Sequence, residues 1–383
     1  MINSIEPAID PSNIPTFLLD WELTLKCNLD CSYCRSGPEG CHWNEAKHPD
    51  IDACLSSIDF MFAYVDRYMA VKPKWQRAVV LNVYGGESIF HPDIVQILEQ
   101  VKIKYRAYAE HWPLTVTCTT NAVAGPTLWQ RVSNLIDEFT VSFHSETLPK
   151  QRQQIFDNIL YNKASGRKQT VIFVMHNDPV KWQISVDAIE FCKHHGIKYV
   201  VKANDRPEEV WSYSTEQFDY LSGFYKSRTA KTVIPIQDAS KVQMSSLGRS
   251  CCGGRKLCTN QDLKSPQAFV AHTDFTDWYC SVNWYFLFVK QHTGDVYVNK
   301  DCQMRFNGSV GPIGNITDYQ KILDEQKKML DQEQVPVIQC KKQRCICGYC
   351  APKAKQFNDF ENIMKKHVDK KVKFAYNNSL LDK

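Results

Sequence analysis

Apolar residues recur with two different periodicities along the first half of the chain. Apolar runs, or apolar residues at every second position, predict β-strands, and apolar residues three and four apart predict helices. The predicted strands cover 17–25, 78–84, 114–120, 139–144, 170–175 and 198–202, and the predicted helices cover 50–69, 92–105, 148–162 and 180–195. Strands that alternate with helices in this way are typical of βαβ units with a parallel sheet.

The second half of the chain has a different pattern. Residues 206–250 contain one predicted helix, 214–227, and cysteines become frequent from Cys251 onward, so we place a domain boundary near residue 235. A strand over 280–290, a turn and a second strand from 296 toward Cys302 predict a β-hairpin with a cysteine at each end. Helices are predicted over 319–332 and 355–367.

Composition narrows the class of protein. The 383 residues are enough for roughly two or three domains, and 43% hydrophobic residues support a real core. A net charge of +4 gives no expectation of nucleic-acid binding. No basic stretch followed by an apolar stretch begins the chain, and no apolar run predicts a membrane span. The 16 cysteines are therefore interpreted as reduced, metal-binding thiols in the cytoplasm.

Three cysteines follow the first predicted strand directly. Cys27, Cys31 and Cys34 stand at spacings of four and three residues. They cannot all pair with one another as disulfides, but they can converge on one metal centre, because thiolates suit iron–sulfur clusters and zinc. A cubane cluster has four irons, so three thiolates leave one iron open, which marks a reactive centre. The alternative is a zinc loop, with Cys41 or His42 as fourth ligand.

The pattern Cys27-x3-Cys31-x2-Cys34, with Tyr33 before the last cysteine, resembles the signature of the radical SAM superfamily. The resemblance implies a [4Fe–4S] cluster whose open iron binds S-adenosylmethionine (AdoMet), and Tyr33 beside the adenine. It also implies an α/β fold, in which a partial (β/α)6 TIM-type barrel precedes a small cysteine-rich α+β domain with a β-hairpin. The implied divisions are an N-terminal arm (1–16), the radical SAM barrel (17–235), an auxiliary-cluster domain (236–351) and a lysine-rich helix and tail (352–383).

Polar motifs at the ends of the predicted strands resemble further elements of that family. Since barrel chemistry lies at the C-terminal ends of strands, we expect these motifs to line the site. Gly85, Gly86 and Glu87 resemble the element that holds the methionyl amino group, although Ser88 replaces the usual proline. Asn121 is expected to face the pocket. Ser142 is expected near the ribose.

Histidines and cysteines near the same strand ends are candidate catalytic residues. His144 stands where the family has an aspartate, and a histidine either passes protons near neutral pH or serves as a hydrogen-bonding pocket residue. His176, at the end of the fifth strand, is expected near adenine or substrate. Cys41 and Cys118 are candidate hydrogen-atom donors, with burial in the core as the favoured interpretation for both.

A second group of cysteines resembles the SPASM/twitch extension, which holds auxiliary [4Fe–4S] clusters in many radical SAM proteins. One or two such clusters are expected, since a cluster takes up to four thiolates. The spacing of these cysteines departs from that of the SPASM/twitch extension, so structural zinc is the alternative. The candidate ligands are Cys252, Cys258, Cys280, Cys302, Cys340, Cys345, Cys347 and Cys350.

The resemblance implies hydrogen abstraction from a substrate, with a peptide or protein side chain as the first expectation and a maturase-type oxidoreductase as the class. No segment before the barrel resembles a peptide-binding domain, which leaves room for a sugar, nucleotide or nucleobase. A reductant such as flavodoxin or ferredoxin is the expected electron donor. The non-enzymatic alternative is a zinc-binding nucleic-acid or interaction module, which would need interleaved aromatics and a strongly basic face. The lysines lie mostly beyond the last cysteines, and that alternative leaves the six-strand alternation unexplained.

Overall fold

A computed structural model describes part of the chain. The described residues are 8–9, 16–34, 46–203, 213–226, 274–300, 303–305, 309–341, 343, 351–365, 367–368 and 373–375. Several predicted site residues lie outside them: Cys41, Cys252, Cys258, Cys302, Cys345, Cys347 and Cys350. No helix within these ranges is both long and apolar enough to cross a membrane.

The first half of the chain forms the predicted alternation of strands and helices. In order, the elements are β1 Ala8–Ile9, β2 Thr16–Thr24, α1 Ile51–Val71, β3 Ala78–Gly85, α2 Ile94–Tyr105, β4 Leu114–Thr120, α3 Pro126–Ser133, β5 Glu138–Phe143, α4 Pro149–Ala164, β6 Lys168–Met175, α5 Pro179–His194, β7 Tyr199–Ala203 and α6 Thr215–Lys226. Strands β2 to β7 pair in parallel with their neighbours along the chain, each after a crossover helix. The fold is α/β, a partial TIM-type barrel with a small C-terminal domain.

The second half adds short strands and two helices. They are β8 Tyr279–Cys280, β9 Phe286–Lys290, β10 Asp295–Tyr297, β11 Gly314–Asn315, α7 Tyr319–Asp331, β12 Gln334–Pro336, β13 Ile338–Gln339, β14 Lys353–Ala354, α8 Phe357–Met364 and β15 Lys373–Ala375. Strands β9 and β10 form the predicted hairpin. Strand β9 also pairs in parallel with β2, so the hairpin extends the barrel sheet to nine strands in the order β11-β10-β9-β2-β3-β4-β5-β6-β7.

One predicted strand is wrong in detail. The apolar run 280–290 is divided between β8 and β9, which belong to different sheets. A single turn of 3-10 helix over Val282–Trp284 separates them. The Ser281 backbone N–H and hydroxyl both donate to the Pro352 carbonyl, and the Asn283 amide donates to the Pro336 carbonyl. These side-chain bonds replace strand pairing, so the chain can pass from one sheet to the other.

The two faces of the barrel sheet have different surroundings. One face is apolar, packs against the helices and includes Phe17, Leu19, Trp21, Leu81, Val83, Val116, Phe139, Val141 and Phe173. None of the helices named above packs on the other face, which we call the helix-free face. It carries polar side chains, among them Asp20, Glu22, Asn82, Thr117, Thr119 and Ser142. Period-two alternation in each strand produces this division. The helix-free face therefore leads to the site at the strand ends.

Lys72, directly after α1, is completely buried (0% exposed). Its Nζ lies 5.3, 4.8 and 4.6 Å from the ring centroids of Phe17, Trp284 and Tyr285, and it donates to the Trp284 carbonyl. Desolvation lowers the pKa of Lys72 well below its ordinary value. The three rings and the carbonyl offset part of the cost of burying the ammonium. Lys72 thus joins α1 to the segment before β9.

We expect Lys72→Met to change the pH dependence of stability. The pKa of Lys72 is lower in the folded chain than in the unfolded chain. The wild type therefore loses stability as the pH falls from the Lys72 pKa of the unfolded chain toward that of the folded chain. Methionine has no such proton, so the free energy of unfolding of the variant should rise relative to wild type as the pH is lowered. Urea midpoints of the apo-protein between about pH 9 and pH 6 measure this, across the window below the ordinary lysine pKa.

Lys72→Ala is the control for packing. It leaves a cavity that Lys72→Met fills, so it should be less stable than Lys72→Met by roughly 2–5 kcal/mol at every pH. A difference between wild type and Lys72→Met that does not vary with pH would contradict the lowered pKa of Lys72.

Candidate metal and cofactor site

The cysteine loop leaves β2 and is held by the glycines that end β3. Gly86 N donates to Thr24 O at 2.7 Å, and Glu87 N donates to Lys26 O at 2.9 Å. A Cβ on Gly86 would lie 2.3 Å from Leu25 O and 2.5 Å from Lys26 O, and one on Gly85 would lie 2.0 Å from Thr24 O. The two glycines therefore permit close approach of the loop's own backbone. The sequence motif predicted close approach of a ligand.

Glu87 is buried beneath the loop, with 2% of its surface exposed. Its carboxylate accepts hydrogen bonds from Asn121 N (2.5 Å), Thr120 Oγ1 (2.8 Å) and Ile89 N (3.0 Å). Burial raises the pKa of Glu87 to about 7, against the lowering effect of these three donors. Because the carboxylate is already used in this way, Glu87 acts in the structure by fixing the end of β4, where Asn121 lies.

Asn121 connects the end of β4 to the first cysteine. Its amide Nδ2 donates to Asn28 Oδ1 at 2.7 Å and lies 3.8 Å from Cys27 Sγ, while Asn28 Nδ2 donates to Val123 O at 2.9 Å. Leu29 N also donates to Cys27 Sγ, at 3.4 Å. N–H donors directed at a sulfur favour its thiolate form. The surroundings of Cys27 therefore suit a metal-bound thiolate.

The thiols of Cys27, Cys31 and Cys34 lie on one short loop. Cys34 N donates to Cys31 O at 3.0 Å, which closes the turn between the second and third thiols. Within the described residues, no three His, Cys, Asp or Glu side chains are grouped to hold one metal ion. The donor set of three thiolates suits an iron–sulfur cluster and suits zinc.

Desolvation keeps the first thiol protonated when no metal is bound. Burial raises the pKa of Cys27 to about 11, and the Leu29 N–H lowers it by less. Metal ligation needs the thiolate, so binding must displace this proton. The loop is thus pre-shaped, and its first thiol stays neutral until a metal binds.

Tyr33 and His144 form a ring pair beside the third cysteine. The rings are stacked with centroids 5.7 Å apart, and a hydrogen bond of 2.9 Å joins Tyr33 Oη to His144 Nδ1. His176 meets the other side of Tyr33 edge-on at 6.1 Å. Burial lowers the pKa of His144 to about 4, so the imidazole is neutral at neutral pH. Of the two roles considered for His144, this favours the hydrogen-bonding pocket residue over the proton shuttle.

Ser142 and Cys118 point to different faces of the barrel sheet. Ser142 is half-buried, and it alternates with the buried Val141 and Phe143 that face the helices. Cys118 alternates with Thr117 and Thr119, is 2% exposed and belongs to the hydrophobic core. This placement favours the packing role for Cys118, and its role as a hydrogen-atom donor stays a prediction.

Sequence reasoning missed a polar group that binds the turn between Cys31 and Cys34. Glu146 Oε2 accepts from Ser32 N at 2.6 Å, and Glu146 Oε1 accepts from Ser32 Oγ at 2.7 Å. Lys181, in the first turn of α5, donates to Glu146 Oε1. His176 Nε2 lies 3.7 Å from the same oxygen. The available signal was the carboxylate two residues beyond the motif residue His144.

Glu22 lies near the end of β2 on the helix-free face. Its Oε2 is buried and has no hydrogen-bond partner among the described residues; His292 Nδ1 lies 3.7 Å away, and burial lowers the pKa of that histidine. Burial raises the pKa of Glu22, against the attraction of Lys300 and Lys290. The stacked rings of Tyr84, Phe288 and Tyr297 lie on the same face, with Lys300 Nζ 4.0 Å from the Tyr84 centroid. The three rings are 8%, 1% and 8% exposed and form a buried aromatic cluster on this face, beside Glu22.

Two of the expected auxiliary ligands are described, and they lie on adjacent strands. Cys280 in β8 is opposite Ile338 of β13, and the ladder continues to Cys340, whose N donates to Trp278 O at 2.8 Å. Period-two alternation puts Cys280 and Cys340 on one face in a diagonal relation, for which about 7–8 Å is typical. That spacing suits two ligands of one cluster better than a disulfide.

Comparisons with known proteins give similarity to solved structures alone. No protein-family model matches the chain, and no curated protein matches it. The chain is similar to native anSMEcpe with bound AdoMet, at 14% identity and a TM-score of 0.47, over 81% of this chain and 80% of that chain. It is similar to BtrN in complex with AdoMet and 2-DOIA, at 12% identity and a TM-score of 0.35, over 80% and 81% of the two chains.

A third similar structure is native anSMEcpe with bound AdoMet and Cp18Cys peptide. The identity is 13% and the TM-score 0.43, over 80% of this chain and 79% of that chain. All of these TM-scores lie below 0.5, so no function is transferred from them. What the chain's own residues establish is a loop of three thiols held across the C-terminal ends of a parallel barrel sheet.

Proposed function

We propose that the chain is a radical SAM enzyme in which Cys27, Cys31 and Cys34 bind a [4Fe–4S] cluster with an open iron. The observation that carries the proposal is the position of the cysteine loop. It is attached to the end of β3 through Gly86, to the end of β4 through Asn121, and to the segment after β5 through Glu146. The C-terminal strand ends are where barrels of this type carry their chemistry.

When bound, the cluster and AdoMet would together supply one-electron cleavage of the sulfonium, which yields methionine and a 5′-deoxyadenosyl radical able to abstract hydrogen. The residues of this chain would bind and orient. The effect of Gly85, Gly86 and Glu87 on AdoMet would be indirect. The loop backbone already fills the space beside the two glycines, and the Glu87 carboxylate already accepts from Asn121. A flavodoxin or ferredoxin would deliver the electron.

Ser142, His144 and Tyr33 would form the side of the pocket that receives the nucleoside part of AdoMet. They stand together at the end of β5, and His144 is neutral at neutral pH. A neutral imidazole can stack and hydrogen-bond without adding charge beside a sulfonium cation. The role of His144 in this proposal is therefore to hold Tyr33 in place.

For the substrate we propose a peptide or protein side chain that is oxidised. Two features support this class. Glu22, whose buried Oε2 has no hydrogen-bond partner among the described residues, would accept from a polar group of such a substrate. Cys280 and Cys340 would hold an auxiliary cluster, with further ligands from Cys252, Cys258, Cys302, Cys345, Cys347 and Cys350. An auxiliary cluster would accept the electron that the substrate radical gives up.

The test is cleavage of AdoMet by the anaerobically reconstituted protein. With iron, sulfide and dithionite, we expect a brown protein that forms methionine and 5′-deoxyadenosine, both quantified by chromatography. A peptide carrying deuterium on its side chains should transfer deuterium to 5′-deoxyadenosine. Transfer from a labelled sugar or nucleotide instead would replace the peptide proposal but keep the chemistry. A colourless protein that takes up zinc and forms neither product would overturn both.

A further inference from the structure

Glu146 makes two hydrogen bonds to one residue of the cysteine loop. Ser32 donates its backbone N–H to Oε2 and its hydroxyl to Oε1, at 2.6 and 2.7 Å. Ser32 stands between Cys31 and Cys34, and 114 residues separate it from Glu146 along the chain. Bonds to an ionised carboxylate are shorter and stronger than neutral ones. This contact therefore places the turn that carries the second and third thiols.

Glu146 is itself held from the other side. Lys181 donates to its Oε1, and His176 Nε2 lies 3.7 Å from the same oxygen. Asp178 N donates to His176 Nδ1 at 2.9 Å, and His176 Nε2 lies 3.3 Å from Lys181 Nζ, so the imidazole packs against the Lys181–Glu146 pair. The side chain of Glu146 is 13% exposed. Burial alone would raise the pKa of Glu146, but Lys181 and Ser32 outweigh it and the pKa is lowered, so the carboxylate is charged at neutral pH.

The neighbouring contacts show what this connection controls. Tyr33, next to Ser32, is hydrogen-bonded to His144 at 2.9 Å. The loop therefore contacts the segment at the end of β5 through two consecutive residues, Ser32 and Tyr33. The first thiol, Cys27, is placed separately by Asn28 and Asn121. Loss of Glu146 would therefore loosen the Ser32–Tyr33 part of the loop, while Cys27 stays in place and the Cys31–Cys34 turn keeps its own backbone hydrogen bond.

We propose that Glu146 is a positioning residue that fixes the Ser32–Tyr33 part of the cysteine loop and thereby sets the affinity for AdoMet. This inference rests on the proposed function for its ligand. The position of the loop, however, can be measured without any cofactor. Residues that orient metal ligands from outside their coordination sphere typically affect affinity or activity by roughly 10–100-fold.

The first experiment measures hydrogen exchange of the peptide containing Ser32 in the apo-protein. In Glu146→Ala the Ser32 amide should exchange about 10-fold faster or more, because its charge-assisted hydrogen bond is lost. In Lys181→Met it should exchange at an intermediate rate, since the bond to Ser32 remains but its acceptor is less fixed. Glu190→Ala is the matched control, because it removes a carboxylate paired with Lys193 on the same helix, α5, away from the loop. Exchange in Glu146→Ala equal to that of the control would overturn the proposal.

The second experiment uses the reconstituted enzyme. We expect Glu146→Ala to bind iron like wild type, to raise the KM for AdoMet by roughly 10–100-fold and to change kcat less. Glu146→Gln, which keeps one acceptor oxygen of the two, should lie between. Equal losses of iron and of activity, with an unchanged KM, would assign Glu146 a structural role and overturn the inference. If wild type forms no 5′-deoxyadenosine while the exchange result holds, the proposed function fails, and Glu146 fixes the loop of a different centre.

Discussion

Replacing Cys27, Cys31 and Cys34 together by alanine is expected to abolish AdoMet cleavage completely. Alanine offers no ligand, so the reactive cluster cannot form and iron should fall by about four per chain. The fold should survive, because the loop is held by backbone bonds from Gly86 and Glu87 that the thiols do not make. Iron, acid-labile sulfide and 5′-deoxyadenosine measured in the same preparation check the expectation.

The remaining iron in this triple variant tests the second metal centre. If Cys280 and Cys340 hold an auxiliary cluster, the triple variant stays brown and keeps iron that the electron paramagnetic resonance spectrum assigns to it. Cys192→Ala is the control, since Cys192 is a completely buried core residue of α5, and it should keep all iron and the wild-type rate. A triple variant that still forms 5′-deoxyadenosine would contradict the ligand assignment. A triple variant that loses all iron but binds zinc would show that the second centre is a structural zinc site.

Gly86→Ala is expected to damage the site through the backbone alone. Its Cβ would stand 2.3 Å from Leu25 O and 2.5 Å from Lys26 O, and neither carbonyl can move without shifting the entry to the cysteine loop. Overpacking of this kind costs roughly 1–3 kcal/mol, and contacts with two backbone atoms put Gly86→Ala at the upper end. The urea midpoint of the apo-protein should fall accordingly, and the reconstituted variant should lose most of its iron.

Gly223→Ala is the matched control for this substitution. Gly223 lies inside α6 and is exposed, and no described residue beyond its own helix comes within 4 Å of the position of a new Cβ. Alanine in a helix interior stabilises by roughly 0.5–1 kcal/mol relative to glycine, so its urea midpoint should rise slightly. A Gly86→Ala variant as stable as Gly223→Ala, with full iron, would show that the loop does not depend on the close approach at Gly86.

The barrel half of the fold could be predicted from the sequence, because its strands and most of its helices follow local periodicity. Helix α3 was missed, since it has eight residues and buries only Trp129, Val132 and Ser133, too few for a clear helical period. The division of the run 280–290 was also missed. That run is apolar throughout, and only its distant partners Pro352 and Pro336 reveal the break.

Part of the candidate site could likewise be predicted from the sequence, and part needed the tertiary structure. The spacing of Cys27, Cys31 and Cys34 and their place after a strand are local facts, and the sequence by itself determined the kind of centre to expect. The use of Glu87 as a support for Asn121 needed the tertiary structure, because the same Gly-Gly-Glu motif could face a ligand or a neighbouring strand. The neutrality of His144 also followed only from its burial.

What only the tertiary structure decided are the contacts between residues far apart in the chain. Ser32 and Glu146 meet across 114 residues, and β9 pairs with β2 although more than 250 residues separate them. Periodicity reports which face of a strand or helix is buried, because that depends on neighbours three or four residues away. It carries no information about which distant polar groups will be brought within hydrogen-bonding distance. In this protein those groups position the cysteine loop.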